Sequence, residues 1–290
     1  MAQTPDLAQA TAFMWAGARL LDRRRFAQRF LGGERQATLD ALRPYQNADG
    51  GFGNALEPDL RGPDSQPVPT WTALVILEEA DALDDPLATR ACDYLQTITT
   101  AEGGVPFVLP SARGYPHAPW WETDDHPPAA LNPTAAIAAL LHKRHIAHPW
   151  LAPATDYCWR ELETTADVSP YTMRAVLPFL DHAPDRERAE RVFARLGPKL
   201  LAEGHVALAP TDEANTHSPL NFAPTPQSIA RRLFSDEVIA DHLDALAAAQ
   251  QPDGGWPINW LAWNPLAALE WRGVVTIEAL ATLRAYGRLA

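Results

Sequence analysis

Apolar positions recur at three- and four-residue spacing along the chain, in two kinds of block that alternate. One kind carries an apolar stripe opposite a charged face: residues 34–46, 87–99, 152–165, 185–203 and 235–251. The other is apolar around most of its circumference: residues 70–83, 133–146, 169–181, 225–234 and 273–287. A striped helix needs cover on one face, whereas an all-round apolar helix needs it on every side. The stretch 6–31, with Phe13, Met14, Trp15, Leu20, Leu21 and Phe30, predicts one long helix of the apolar kind. Proline or a capping residue opens several blocks, as in Asn132-Pro133-Thr134 and Ser169-Pro170. No stretch alternates long enough to predict a strand.

Glycines punctuate the blocks. Gln46-Asn47-Ala48-Asp49-Gly50-Gly51-Phe52 is echoed by Gln250-Gln251-Pro252-Asp253-Gly254-Gly255-Trp256 and by Gly103-Gly104-Val105-Pro106-Phe107 after Tyr94-Leu95-Gln96. A weaker copy is Leu200-Leu201-Ala202-Glu203-Gly204-His205-Val206. The first glycines stand at 50, 103, 204 and 254, so the intervals are 53, 101 and 50 residues, with one degenerate copy in the middle. A period of about 50 residues holds two helices and their connections. Pairs of this kind repeated around a ring predict an all-α protein: a single α/α toroid domain over 1–290, of about six helical hairpins.

Connections from the apolar to the striped blocks are short, as in Leu83-Asp84-Asp85-Pro86 and Asp181-His182-Ala183-Pro184. The reverse connections are long, at 47–69, 100–131, 204–224 and 252–272. Alternating helices gather all connections of one kind at one end, and structureless loops this long usually serve a function. The N-termini of the apolar helices point to the same end, where free N–H groups favour anionic groups.

Composition narrows the classes. Of 290 residues, 47% are hydrophobic and 21% charged, enough to bury a large core. The net charge of -12, with Lys143 and Lys199 the only lysines, argues against a nucleic-acid partner. Cys92 and Cys158 make no disulfide framework. The opening MAQTPDLAQATAF lacks the pattern of a secretion signal, and no apolar run nears the ~18 residues of a membrane span, which together predict a cytoplasmic protein without a transmembrane segment. Of the ten tryptophans, Trp120, Trp121, Trp256, Trp260, Trp263 and Trp271 lie in the long loops, which are also rich in proline.

The Gln-x-x-Asp-Gly-Gly-Phe/Trp segments resemble the repeat of squalene–hopene cyclases, related terpene cyclases and the β subunits of protein prenyltransferases. That resemblance implies an α/α toroid in which the glutamine and the aromatic tie successive hairpins together. Class II cyclases of the superfamily protonate an alkene or epoxide with the central acid of an Asp-x-Asp-Asp motif. Glu122-Thr123-Asp124-Asp125 is a near match, implying Asp124 as acid with Asp125 and Glu122 as electrostatic partners. Such an acid needs an apolar surround, which Trp120 and Trp121 are placed to supply; their faces also suit a carbocation. A solvated acidic loop is the alternative. The prenyltransferase zinc set does not carry over, because Cys92 and Cys158 fall in striped helices, so neither metal nor cofactor is expected.

The same loops offer other candidates. Glu57, Asp59 and Arg61 alternate among Pro58, Pro63 and Pro67, a stiff arrangement suited to acid–base work or to holding the loop itself. Gln66, Trp71, His126, Trp260, Trp263, Glu270, Trp271 and Arg272 complete a candidate binding set, with Trp260 and Trp263 spaced to share a helical face. His142, His145 and His148 read as a solvated helix end in preference to a metal site, and no phosphate loop or nucleophile elbow is present. The expected function is a metal-independent, isoprenoid-active enzyme, a terpene cyclase or isomerase taking an apolar small molecule. A glycan-active toroid with paired carboxylates and a non-catalytic binding toroid are the alternatives.

Overall fold

The computed structural model describes residues 4–202 and 204–289; Glu203 of the weakest repeat copy and the first three residues of the opening segment lie outside the described residues. In chain order the helices are α1 (Leu7–Gly17), α2 (Leu20–Phe30), α3 (Arg35–Leu42), α4 (Pro67–Glu79), α5 (Pro86–Thr97), α6 (Leu131–Lys143), α7 (Leu151–Thr164), α8 (Pro170–His182), α9 (Arg186–Leu196), α10 (Lys199–Ala202), α11 (Pro219–Phe222), α12 (Asp236–Ala248) and α13 (Pro265–Ala285). Pairing outside helices is limited, among the described residues, to isolated bridges, so the protein is all-α. The chain divides into two compact units, one of Gly32–Phe193 and one of the segment up to Leu31 with Ala194 onward.

Helix starts follow the capping chemistry. Asp85 and Ser235 accept hydrogen bonds from first-turn N–H groups of α5 and α12, and Asn264 does so for α13. Three expectations change. The stretch 6–31 is two helices, because Ala18 and Arg19 turn to extended backbone between them. The block 185–203 breaks at Gly197-Pro198, where proline cannot continue the ladder. The block 225–234 forms only a 3-10 turn at Ile229–Leu233, preceded by the single turn of α11.

In the 32–193 unit, α6 packs against α4 and α8. Helix α6 buries Ala135, Ala136, Ile137, Ala138 and Ala139, so its backbone comes close to its neighbours. Helix α4 adds Leu74, Ile76 and Leu77, each worth roughly 1.5–3 kcal/mol when removed from water. In the other unit α13 packs against α1, α2 and α12.

The repeat segments are the joints. Gln46 Nε2 donates to Gly50 O at 2.9 Å and reaches Leu87 O of α5 at 3.0 Å. Gln250 Nε2 likewise donates to Gly254 O at 3.0 Å and to Asp6 O, before α1, at 2.9 Å. The left-handed Gly50 (φ 92°) presses on the Arg90 carbonyl, and Gly254 (φ 93°) on that of Gln9; a Cβ at either would sit 2.4 or 2.1 Å from those oxygens. The following glycine abuts a ring four residues further along: Gly51 on Tyr94, Gly104 on Tyr157 and Gly255 on Phe13. Helix α1 therefore takes at Gly254-Gly255 the place that α5 takes at Gly50-Gly51. Gly204 has no such seat, since a Cβ there would meet nothing within 4 Å.

Candidate active site

Two long loops of the 32–193 unit build the best-formed polar site. The first follows Gly50-Gly51. Asn47 Nδ2 donates to Pro63 O at 2.8 Å and Ser65 Oγ at 3.0 Å, while Asp49 Oδ1 accepts from Ser65 Oγ at 2.7 Å. These bonds draw the loop ends together, and Asn54 and Ala55 take left-handed conformations to turn the chain inward (φ 55° and 61°). Leu56, Glu57, Pro58, Asp59 and Leu60 are then all buried, with Glu57 6% and Asp59 3% exposed. Two carboxyl groups are seldom buried together, because desolvation disfavours the ionised form.

The second loop runs alongside. Ala118 N donates to Asp59 O at 2.9 Å and Arg61 N to Pro116 O at 3.0 Å, with Leu60 bridging to His117. Gln66 locks the two loops from the other end: its Oε1 accepts from Leu109 N at 2.8 Å and its Nε2 donates to Ser111 Oγ at 2.8 Å. Gln66 is thus a cross-link between loops, which is why it is buried. Arg61 is half-buried and donates to Pro58 O within its own loop. Trp121 lies one turn beyond Ala118, 3% exposed, with its ring stacked on Phe107 at 4.9 Å and 3°.

The near match to the cyclase motif lies elsewhere. Glu122, Asp124, Asp125 and His126 are exposed. Glu122 meets His117 Nε2 at 3.1 Å, and Asp125 pairs with Arg113. Neighbouring Trp120 is 48% exposed, so the apolar surround expected for Asp124 is not built around it. The turn Pro119–Trp121 sends one tryptophan inward and the other outward, and the acidic run after it goes to water. Of the sequence candidates in this unit, the loops bring together Glu57, Asp59, Gln66 and Trp121. Trp71 is half-buried on α4.

In the other unit, Trp260 meets Trp271 edge-on at 5.3 Å and 84°, and Trp263 and Glu270 are half-buried beside them. Arg272 is committed to the repeat turn. Its two Nη atoms grip Asp253 at 2.7 Å each, its Nε reaches Trp256 O at 3.3 Å, and its guanidinium lies 4.6 Å from the Phe13 ring centre. The Arg272 hydrogen bonds hold the Asp253 carboxyl below its ordinary range. Arg272 thus braces the repeat turn.

Two features escaped the sequence reading. Asp22 of α2 is fully buried between Arg19 Nε at 2.7 Å and Arg25 Nη1 at 3.1 Å; the charged run Asp22-Arg23-Arg24-Arg25 conceals which members face inward. An open cleft of about 570 Å³ also lies at the opposite helix ends, lined by His142, His148, Pro149, Leu151, Thr155 and Asp156. There His142 Nε2 meets Thr155 Oγ1 at 2.9 Å, and burial lowers the imidazole's proton affinity. No group of three or more metal-ligating side chains occurs among the described residues. Nor, among them, is any helix long and apolar enough to cross a membrane.

No family model and no curated protein matches the sequence. Among solved structures, a protein from Actinoplanes is similar with a TM-score of 0.56 at 19% identity, over 96% of this chain and 88% of that one. The ligand-free type II terpene cyclase MstE from Scytonema gives 0.50 at 16% identity, over 97% of this chain and 89% of its own. A variant of MstE in complex with merosterolic acid A, described as its product, gives 0.50 at 16% identity, over 96% and 87%. The chain therefore has the all-α, terpene-cyclase-like fold that the repeat implies.

Proposed function

We propose that the protein is an isoprenoid-active enzyme, a metal-independent cyclase or isomerase, in which a buried carboxyl of the Glu57–Asp59 loop protonates an alkene. The observation that carries this reading is the burial of both carboxyl groups on a loop pinned at both ends. Burial favours the protonated carboxyl, and a rigid loop fixes the line of proton delivery. Asp59 is the donor, because its own carbonyl is tied to Ala118 N and so holds the residue beside the Trp121 segment; Glu57 is its neighbour and proton reserve. The MstE likeness is one of fold, and it is these carboxylates that carry the reaction class to this chain.

The chemistry balances as an isomerisation. The O–H bond of Asp59 breaks as a C–H bond forms at one alkene carbon, leaving a carbocation and a carboxylate. A second alkene of the same chain closes a ring on the cation, the product cation loses a proton to water, and Asp59 regains one from solvent through Glu57, so substrate and product are isomers.

Incubation of the enzyme with linear C10 to C30 isoprenoids, followed by product analysis in the presence of a metal chelator, tests the reading. Cyclic or rearranged isomers made by the wild type and lost in Asp59→Asn support it. Turnover lost in Asp124→Asn but kept in Asp59→Asn moves the acid to the exposed loop and overturns the assignment.

A further inference from the structure

The connection into α13 leaves an apolar surface in water. From Gly254 to Leu269 sixteen residues pass without an ionisable side chain, in a chain of which 21% is charged. The stretch is pinned. Asn215 N donates to Asn259 O at 2.7 Å and Asn259 Nδ2 to Thr216 O at 3.0 Å, while Asn264 Oδ1 caps α13 by accepting from Ala267 N at 2.9 Å. Even so, Leu261 is 85% exposed, Leu266 54% and Leu269 56%. Leu266 and Leu269, three apart, share a face of α13. The same stripe is covered one turn later, where Gly273 lies against Ala18 of α1. The Trp260–Trp271 contact folds the loop back along these turns and so brings Leu261 beside them. Trp15, one turn before Ala18, is exposed as well. The apolar stripe of α13 thus runs out from under its cover into an ordered, uncharged surface of leucine and tryptophan. Contiguous exposed apolar surface of this kind marks an interaction site.

We propose that this surface docks the protein on the face of a zwitterionic lipid bilayer. Side-chain chemistry favours lipid over a protein partner. Protein interfaces ring an apolar centre with hydrogen-bonding groups and draw little of their energy from leucine. Here leucines make up the most exposed part, and the nearest arginine, Arg272, is already spent on Asp253. Surfaces that lie in a membrane interface combine leucine with tryptophan, whose apolar ring and polar N–H suit that depth. Charge selects the kind of lipid. A net charge of -12 offers no attraction to anionic headgroups, so burial of the leucines supplies the driving force. The contact is peripheral, since among the described residues no helix is long and apolar enough to cross a membrane. A bilayer also dissolves the apolar substrates proposed above, but the docking surface does not depend on them.

Flotation of the full chain with phosphatidylcholine vesicles, and in parallel with phosphatidylglycerol vesicles, is the test. The wild type is expected to float with phosphatidylcholine, and lipid brominated near the headgroup end of its acyl chain is expected to quench the tryptophan emission. The triple variant Leu261→Glu, Leu266→Glu, Leu269→Glu is expected to lower the partition constant about tenfold or more. Leu31→Glu, at an exposed leucine after α2, leaves it unchanged. If the triple variant does not fold, Leu261→Glu alone carries the test with about a threefold loss, because that side chain is already almost wholly in water. No binding of wild type to phosphatidylcholine, binding to phosphatidylglycerol alone, or equal binding by wild type and the glutamate variant overturns the proposal. A dimer in vesicle-free solution, seen by sedimentation velocity and dissolved by the triple variant, assigns the surface to a second copy and overturns it too. None of these outcomes touches the isoprenoid reading, which the product assay tests separately.

Discussion

The backbone N–H of Phe52 donates to the hydroxyl of Thr70 at 3.0 Å, and that hydroxyl donates to Gln66 O at 2.8 Å. The same relation recurs wherever the glycine pair is well formed. Val105 N donates to Thr134 Oγ1 at 3.0 Å, and Trp256 N to Thr276 Oγ1 at 3.0 Å with Thr276 donating on to Arg272 O at 2.7 Å. All three threonines are fully buried. Each takes an N–H that the turn leaves unpaired and anchors it to an apolar-class helix, so the residue after the glycines is fixed to α4, α6 or α13. For Phe52 this also sets the root of the loop that carries Glu57 and Asp59.

Replacing Thr70 by valine keeps the shape and removes the acceptor, leaving the Phe52 N–H buried without a partner. The expected cost is about 1–3 kcal/mol, read as a fall of several degrees in the thermal midpoint by circular dichroism. Thr276→Val behaves alike at the Trp256 turn. A midpoint within one degree of wild type for both variants contradicts the lock.

The Asp253–Arg272 clamp gives a pH dependence of known sign. Hydrogen bonding from Arg272 holds the Asp253 carboxyl below its unfolded value, so the folded state gains from the ionised form. That stability is present above about pH 4 and is lost as pH falls through the lowered value. Arg272→Leu therefore melts below wild type at neutral pH, and the gap narrows at about pH 3. Asp253 is largely solvent-facing, so the gap is modest. A gap that widens in acid refutes the assignment of Arg272 to the framework.

How much of this was visible beforehand depends on what kind of signal each feature leaves. Block 87–99 against α5 at Pro86–Thr97, and 152–165 against α7 at Leu151–Thr164, show that spacing and capping residues place long striped helices well. The glycine-pair joints were legible too, because a positive φ against a neighbouring carbonyl admits glycine alone. The threonine lock was not: Phe52 and Thr70 are 18 residues apart, Val105 and Thr134 29, and the partner is a common residue at no fixed spacing. The break at Ala18–Arg19 left no glycine or proline to read, so 6–31 looked continuous. Asp124 resembled a motif by residue type, whereas burial, the property the chemistry needs, is set by how the turn Pro119–Trp121 directs the chain after it. In the Glu57–Asp59 loop the prolines were visible, but not the Asn47–Ser65 bonds that fold it inward.

Cys92 and Cys158 are buried in α5 and α7. Burial, reinforced by the Asp93 charge, pushes the Cys92 thiol up to about 12, and burial pushes Cys158 higher still. Both remain protonated at neutral pH, and the thiolate is the reactive form. Iodoacetamide followed by intact-mass analysis is expected to leave the native protein unmodified and to add two labels after denaturation. Labelling of either thiol in the native state at pH 7 contradicts their placement.

Proton transfer from Asp59 starts the proposed reaction, and isotope incorporation reports it directly. Turnover in deuterium oxide, with the isolated product examined by mass spectrometry, is predicted to place one carbon-bound deuterium in each molecule made by the wild type. Asp59→Asn is predicted to yield no labelled product while melting within a few degrees of wild type. Product that carries no deuterium, or labelled product formed at the wild-type rate by Asp59→Asn, contradicts the claim that this carboxyl starts the reaction.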